Sequence, residues 1–204
     1  SEPIEINRDR LALEKFCKIT SPFILRRVKT DKTIIKDLPD KNEINQYCAL
    51  TKEQTVLYQT IVNSIMEKLE KSEGIERSGL IFKLMTALKQ ICNHPSHYLK
   101  KPVADPELSG KMALLFEILQ TIYENDEKAL LFTQYTEMGH LLTRALEKQF
   151  KSETLFLHGG TTRNNRDKIV DRFQNEPQLN VLILSLKAGG TGLNLTAATN
   201  VIHF

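Results

Sequence analysis

The chain has no apolar run near the ~20 residues that a membrane-spanning helix needs, and no segment reads as a signal peptide. Cysteine is scarce: Cys17, Cys48 and Cys92 are odd in number and widely spaced. That pattern argues against a disulfide framework and for a reducing compartment, hence an intracellular protein. The expectation is nuclear in a eukaryote, and cytoplasmic or nucleoid in a bacterium or archaeon. Strong charge of one sign is also missing, since the net charge is only +3 over 204 residues. There is no internal repeat and no low-complexity tract. A hydrophobic share of 41% and a charged share of 26% leave an ordinary globular composition. The length suits one sizeable α/β domain, or one domain with an appendage.

Several motifs are absent as well. Ser109-Gly110-Lys111 is not a Walker A loop, because Asp105 stands where glycine is required and Met112 where Ser or Thr is required. Ser109 reads instead as a helix cap. His158-Gly159-Gly160 resembles an esterase oxyanion loop, but the chain has no G-x-S-x-G nucleophile elbow. Cys92, His94 and His97 have a metal-like spacing, yet a structural zinc site wants four ligands and no second pair lies nearby. They read as a helix terminus with a packed cysteine, and no metal site is assigned. Glu124, Asp126 and Glu127 precede a strand, away from the strand end where α/β sheets bind ligands, and read as a solvated helix end.

What is present changes character near residue 100. Residues 1–100 carry 17 Lys and Arg against 13 Asp and Glu, and the remainder 11 against 12. The densest basic run, at 18–36, opposes six cations to Asp31 alone, which suits either a nucleic-acid backbone or a solvated linker. Upstream the pattern is helical. A short helix at 9–18 ends at Ser21-Pro22, and Leu38-Pro39-Asp40 marks a turn. Thr51 caps a helix whose apolar face carries Val56, Leu57, Ile61, Ile65 and Leu69. A second helix runs from about Ser78 to Cys92, with Ile81, Leu84, Met85, Leu88 and Ile91 in one stripe, and Asn93-His94-Pro95 stops it. The two predict a hairpin held by mutual packing. Residues 102–106 read as a linker.

After the linker, strands and helices alternate. Helices follow Ser109, Thr136 and Thr162, and strands are expected at 129–132, 154–157, 181–184 and 200–204. This alternation predicts βαβ units and a parallel sheet. The strongest candidate site is the stretch from Ser185 to Leu195, with Gly189, Gly190 and Gly192 after a buried strand. Such a loop brings backbone N–H groups and the hydroxyls of Ser185 and Thr191 within reach of phosphate oxygens. Arg163 and Arg166 open the helix after Gly160 and are further candidate phosphate contacts, with pairing to Asp167 and Asp171 as the surface alternative.

Taken together, several segments resemble the SWI/SNF-type ATPases of helicase superfamily two. Ser21-Pro22-Phe23-Ile24-Leu25-Arg26-Arg27, with Lys29, Leu38-Pro39 and Lys41, is similar to the segment that leaves that family's first lobe. Leu88 to Pro95 resembles the end of its helical protrusion. The segments 129–135, 157–161 and 185–195 resemble its motifs four, four-a and five, in order, with Arg166 and Phe173-Gln174 in place after the second. The resemblance implies an α/β fold: a parallel-sheet RecA-like lobe preceded by an α-helical hairpin insertion. It implies linker and first-lobe end at 1–50, helical protrusion at 51–104, and second lobe at 105–204, truncated at its C-terminal side. It further implies part of a DNA-dependent ATPase that translocates on double-stranded DNA and remodels protein–DNA complexes. ATP with Mg would be held mainly by the first lobe. The partners would be duplex DNA, that first lobe and DNA-bound proteins.

By the same resemblance, Ser185, Lys187, Gly189, Thr191, Gln134, Gly160, Thr161, Arg163 and Arg166 face DNA. Gly190, Gly192 and Asn194 face the nucleotide, and Arg26 and Arg27 couple the lobes. The Walker A lysine and the motif-six arginines fall outside these residues, so no catalytic residue is assigned and this stretch alone is expected not to hydrolyse ATP. The family often has a hydrophobic residue at Thr191 and Asp or a similar residue at His158. A lobe of a strand-separating DNA or RNA helicase, and a passive DNA- or protein-binding module, remain the alternatives.

Overall fold

The computed structural model describes residues 9–24, 42–189 and 192–204. Arg26, Arg27, Gly190, Thr191 and most of the basic run at 18–36 lie outside them. The chain divides into two compact units, Ser1–Gln46 and Tyr47–Phe204. In the first, helix α1 spans Arg10–Thr20. Asp9 starts it, its carboxylate accepting from the N–H groups of Leu11 and Ala12 at 2.9 and 3.2 Å. A 3₁₀ turn with Pro22 at its start follows over Ser21–Phe23.

The second unit opens with α2 (Lys52–Leu69) and α3 (Gly74–Asn93), packed on each other as a hairpin. The Thr51 side chain caps α2, and Gln54 closes the reciprocal half of a capping box. Helix α3 starts four residues before the expected Ser78. The turn needs a left-handed residue, Gly74 supplies it at φ 57°, and the chain re-enters helix at once. The expected apolar stripes pack only in part. Ile65, Leu69 and Ile91 are buried, whereas Val56, Ile81 and Met85 are exposed. Two helices cover only one face of each other, so side chains at the margins of each stripe stay in water.

Asn93 ends α3, His94 is extended, and a one-turn helix α4 spans Pro95–Tyr98. The expected linker at 102–106 is instead a fitted strap. Ala104 is buried in the main core, Asp105 caps a 3₁₀ turn over Pro106–Leu108, and its carbonyl accepts from His94 Nε2 at 2.8 Å.

The α/β layer then follows: α5 (Gly110–Glu124), β1 (Ala129–Thr133), α6 (Thr136–Phe150), β2 (Leu155–Leu157), α7 (Arg163–Asn175), β3 (Val181–Ser185), α8 (Leu186–Gly189) and β4 (Asn200–His203). The sheet order is β2-β3-β1-β4 and every pairing is parallel. Alternate residues serve opposite faces. Leu131 and Ile183 pack with Met112, Leu119, Leu142 and Leu146 of α5 and α6. Leu130, Leu182 and Leu184 pack with Phe173 of α7 and with Leu155 and Leu157. Burial on both faces explains why β1 and β3 read as continuous apolar runs.

One buried polar side chain ties the hairpin to this layer. Gln54 is fully buried. Its Nε2 donates to the carbonyls of Ile91 and Cys92 at 2.8 and 3.2 Å, at the end of α3. Its Oε1 accepts from Thr51 N at 3.1 Å and Gly110 N at 3.2 Å, at the starts of α2 and α5. A single amide thereby satisfies groups at three helix ends, with its donor toward a negative pole and its acceptor toward two positive ones. Ser109 reinforces the junction, donating to Asn93 O at 2.7 Å while capping α5.

Candidate nucleic-acid and nucleotide interface

Parallel pairing sends β1, β2 and β3 to the same edge of the sheet, and the register Thr133↔Ser185 and Leu157↔Leu184 aligns their ends. The segments that follow are Gln134-Tyr135 after β1, His158–Thr161 after β2 and α8 after β3. Because the order is β2-β3-β1, Ser185 and Lys187 leave from the central strand. The candidate residues Gln134, Gly160, Thr161, Ser185, Lys187 and Gly189 therefore follow strand ends along one carboxyl edge, where open α/β sheets bind ligands.

Local chemistry shapes each turn. After β2, His158 N donates to Thr161 Oγ1 at 3.1 Å and Thr161 N donates back to His158 O at 3.0 Å. The Thr161 hydroxyl keeps its own proton to donate outward. Gly160 N donates to His158 Nδ1 at 3.1 Å, and a side chain on Gly160 would press on the same ring. At Gly159 nothing among the described residues lies within 4 Å of where a Cβ would sit. Gln134 and Lys187 are exposed, and Ser185 is buried at the root of the turn. Thr133, beside it, has a buried hydroxyl with no partner among the described residues. The sequence carried no sign of Thr133, since a β-branched residue at a strand end is ordinary.

The expected loop after β3 begins as the helical turn α8, so Gly189 closes a helix rather than opening a free loop. Arg166 does not pair with Asp167 or Asp171. Its guanidinium donates to Ala188 O at 2.9 Å and holds α8 against α7. Arg163, the first residue of α7, is exposed. Gln174 clamps the far side of the loop: its amide nitrogen donates to Asn194 O at 3.3 Å and Thr196 Oγ1 at 3.1 Å, and its oxygen accepts from Ala197 N at 2.8 Å. A loop-positioning role for Gln174 could not be read from sequence, because it requires the packing of α7 beside the loop.

Gly192 takes a left-handed φ of 62°, as its residue type allows. With Asn194 and Gln174 it lines a cavity of about 360 Å³. Among the described residues, the charged groups of that cavity are the carboxylates of Asp167 and Asp171. This donor set fits the neutral, hydroxyl-bearing part of a nucleotide. It does not fit a triphosphate, which these carboxylates repel. The structure thus separates two groups of candidates, a carboxyl-edge set around Ser185 and a second set beside α7.

Parallel strands with helices on both faces, and a polar turn after the central strand, define a RecA-like lobe carrying a helical hairpin. Comparison with known proteins agrees. The SNF2-related domain family matches residues 1–97 and the helicase conserved C-terminal domain family matches residues 110–204. The chain belongs to the SWI2/SNF2 family of helicase-like ATPases. It is 42% identical to the Sulfolobus solfataricus SWI2/SNF2 ATPase core in complex with double-stranded DNA, with a TM-score of 0.76 over 96% of this chain and 41% of that one. The C-terminal domain of that ATPase matches at 39% identity and a TM-score of 0.74, covering 80% of this chain and 72% of that one. YwqA of Bacillus subtilis, named as a candidate ATP-dependent helicase/translocase, is 40% identical over 99% of this chain, which spans 22% of that protein. The human DNA excision repair protein ERCC-6 is 33% identical over 90% of this chain and 13% of its own length. The chain therefore spans about a fifth or less of these two relatives.

Among the described residues, no helix is long and apolar enough to cross a membrane.

Proposed function

We propose that this chain is part of a DNA-dependent ATPase that translocates on double-stranded DNA and remodels protein–DNA complexes. Residues 105–204 act as its second motor lobe, 51–104 as its helical protrusion and 1–50 as the inter-lobe linker and the end of the first lobe. The reading is supported above all by the shared carboxyl edge, from which the segments carrying Gln134, Thr161, Ser185 and Lys187 leave the sheet, in a chain whose 42%-identical neighbour is a core in complex with double-stranded DNA. In this reading Ser185, Lys187, Gly189 and Thr191, with Gln134, Gly160, Thr161 and Arg163, take successive phosphates of one strand. Such contacts set position along the duplex without reading bases. Arg166 acts through α8, holding the turn in shape.

Gly190, Gly192 and Asn194 meet the nucleotide, and Arg26 and Arg27 couple the lobes. ATP with Mg is held mainly by a first lobe, in keeping with the carboxylates beside Gly192. When bound, the nucleotide supplies the phosphoanhydride whose hydrolysis drives movement. This chain contributes positioning and DNA contact, and does not turn over ATP by itself.

The test joins this chain to a first lobe and measures ATP turnover with and without duplex DNA. Stimulation by duplex, with no strand displacement, is expected. A well-folded two-lobe protein that ignores duplex DNA would refute the reading, and unwinding would move it to the strand-separating helicases.

A further inference from the structure

A second cavity, of about 490 Å³, lies between α6 and the segment that follows α3. Among the described residues, its charged lining is Lys100, Lys101 and Arg144 against the single carboxylate of Glu137. None of the three cations forms an ion pair with a described carboxylate. His97 also lines the cavity, is only 4% exposed, and has no partner for either ring nitrogen among the described residues. Its ring packs edge-on against Tyr135, 4.9 Å between centroids. A buried imidazole without partners is costly, and it persists where a ligand supplies them.

The backbone gives a third observation. Lys101 N donates to Ser96 O at 2.9 Å, which ends α4 in the geometry that places the preceding residue in the left-handed region. Glycine ordinarily stands there. Here it is Lys100, at φ 54°. A strained non-glycine residue held at a cavity rim points to a use for its side chain.

We propose that this cavity binds a phosphate group, held by Lys100, Lys101 and Arg144 at the nitrogen edge of the His97 ring. The three cations provide charge-assisted hydrogen bonds, and the anion gives the imidazole the partner it lacks. The site adjoins the carboxyl edge through Tyr135, but its phosphate chemistry does not depend on the function proposed for that edge. Its phosphate is either that of a free polyphosphate or one in a nucleic-acid backbone.

The experiment titrates the 204-residue chain with inorganic pyrophosphate and, separately, with a short blunt duplex, following the His97 ring resonances and the dissociation constant. Pyrophosphate is expected to move the His97 resonances. Its affinity should drop roughly tenfold or more in Lys100→Gly with Arg144→Gln, the loss expected for charge-assisted contacts. The exposed Lys148→Ala, in the last turn of α6, should change nothing. Lys100→Gly relieves the left-handed strain, so the melting temperature should hold, and Lys101→Gln alone should shift affinity in the same direction. A response to duplex only, lost in the same variants, assigns the phosphate to a nucleic-acid backbone. Unmoved His97 resonances with both ligands, or unchanged affinity in the variants, overturns the proposal. The pyrophosphate arm needs neither DNA nor ATP turnover, so failure of the motor reading leaves it standing.

Discussion

Replacing Gln54 by Met keeps the length of the side chain and removes its polarity. Four hydrogen bonds disappear, two donated to Ile91 and Cys92 carbonyls and two accepted from Thr51 and Gly110. Each bond is worth about 1 kcal/mol net, and a buried backbone group left unsatisfied costs about 1–3 kcal/mol. Some of the four groups sit at helix ends that water can reach after small shifts, so a total of about 3–4 kcal/mol is expected. With a urea slope of about 2 kcal/mol/M, the unfolding midpoint falls by about 1.5–2 M. Gln54→Glu separates donor from acceptor. It retains an oxygen toward Thr51 and Gly110 but turns a second oxygen on the Ile91 and Cys92 carbonyls. Its carboxyl is therefore pushed above the ordinary carboxylate range, and its stability should recover as pH falls and the carboxyl becomes a donor. Urea titrations by circular dichroism at two pH values read both effects. A midpoint loss under about 0.5 M for Gln54→Met, roughly 1 kcal/mol, would refute the claim that this amide joins three helix ends.

Burial lowers the pKa of both His94 and His97 from 6.5. His94 Nδ1 accepts from Ser96 N at 3.0 Å, so its Nε2 carries the proton given to Asp105 O, and protonating Nδ1 breaks the cap. The unfolded chain binds these protons first, so stability is full well above pH 6.5 and falls as pH drops toward the lowered folded values. His94→Gln should flatten that slope in urea titrations across the window, and a wild-type chain whose stability stayed level or rose on acidification would contradict it. Gly110→Ala drives a Cβ into the Ala49 carbonyl oxygen, a backbone atom that cannot swing aside. It should cost about 1–3 kcal/mol, seen as a lower melting temperature. An unchanged melting temperature would mean that this approach is looser than described. Lys187→Ala should weaken duplex binding alike for all sequences and reduce the salt slope by about one phosphate contact, measured by anisotropy at two salt concentrations. An unchanged slope would remove Lys187 from the edge.

Much of the architecture was legible because it rests on local rules. The caps Thr51 and Ser109, the stop at His94-Pro95 and the alternation after residue 105 all stand where side-chain chemistry and periodicity put them. So does the buried parallel sheet, since a strand covered on both faces must be apolar throughout. The glycine-rich segment after β3 was likewise visible from residue type. Three-dimensional neighbours decided the rest. Nothing local distinguishes a capping-box glutamine from one that also bridges the end of α3 and the start of α5. Residues 102–106 look like a linker until Ala104 and Asp105 find their partners in space. Arg166 read as a phosphate contact or a partner of Asp167 and Asp171, and the packing of α7 beside α8 gave it the Ala188 carbonyl. The basic cavity joins residues near 100 to residues 137 and 144. Sequence alone specified the long helices and the strands, because caps, turns and periodicity act within a few residues. Tertiary structure alone decided which polar groups meet, because hydrogen bonds and charge pairs depend on positions that only the assembled core brings together.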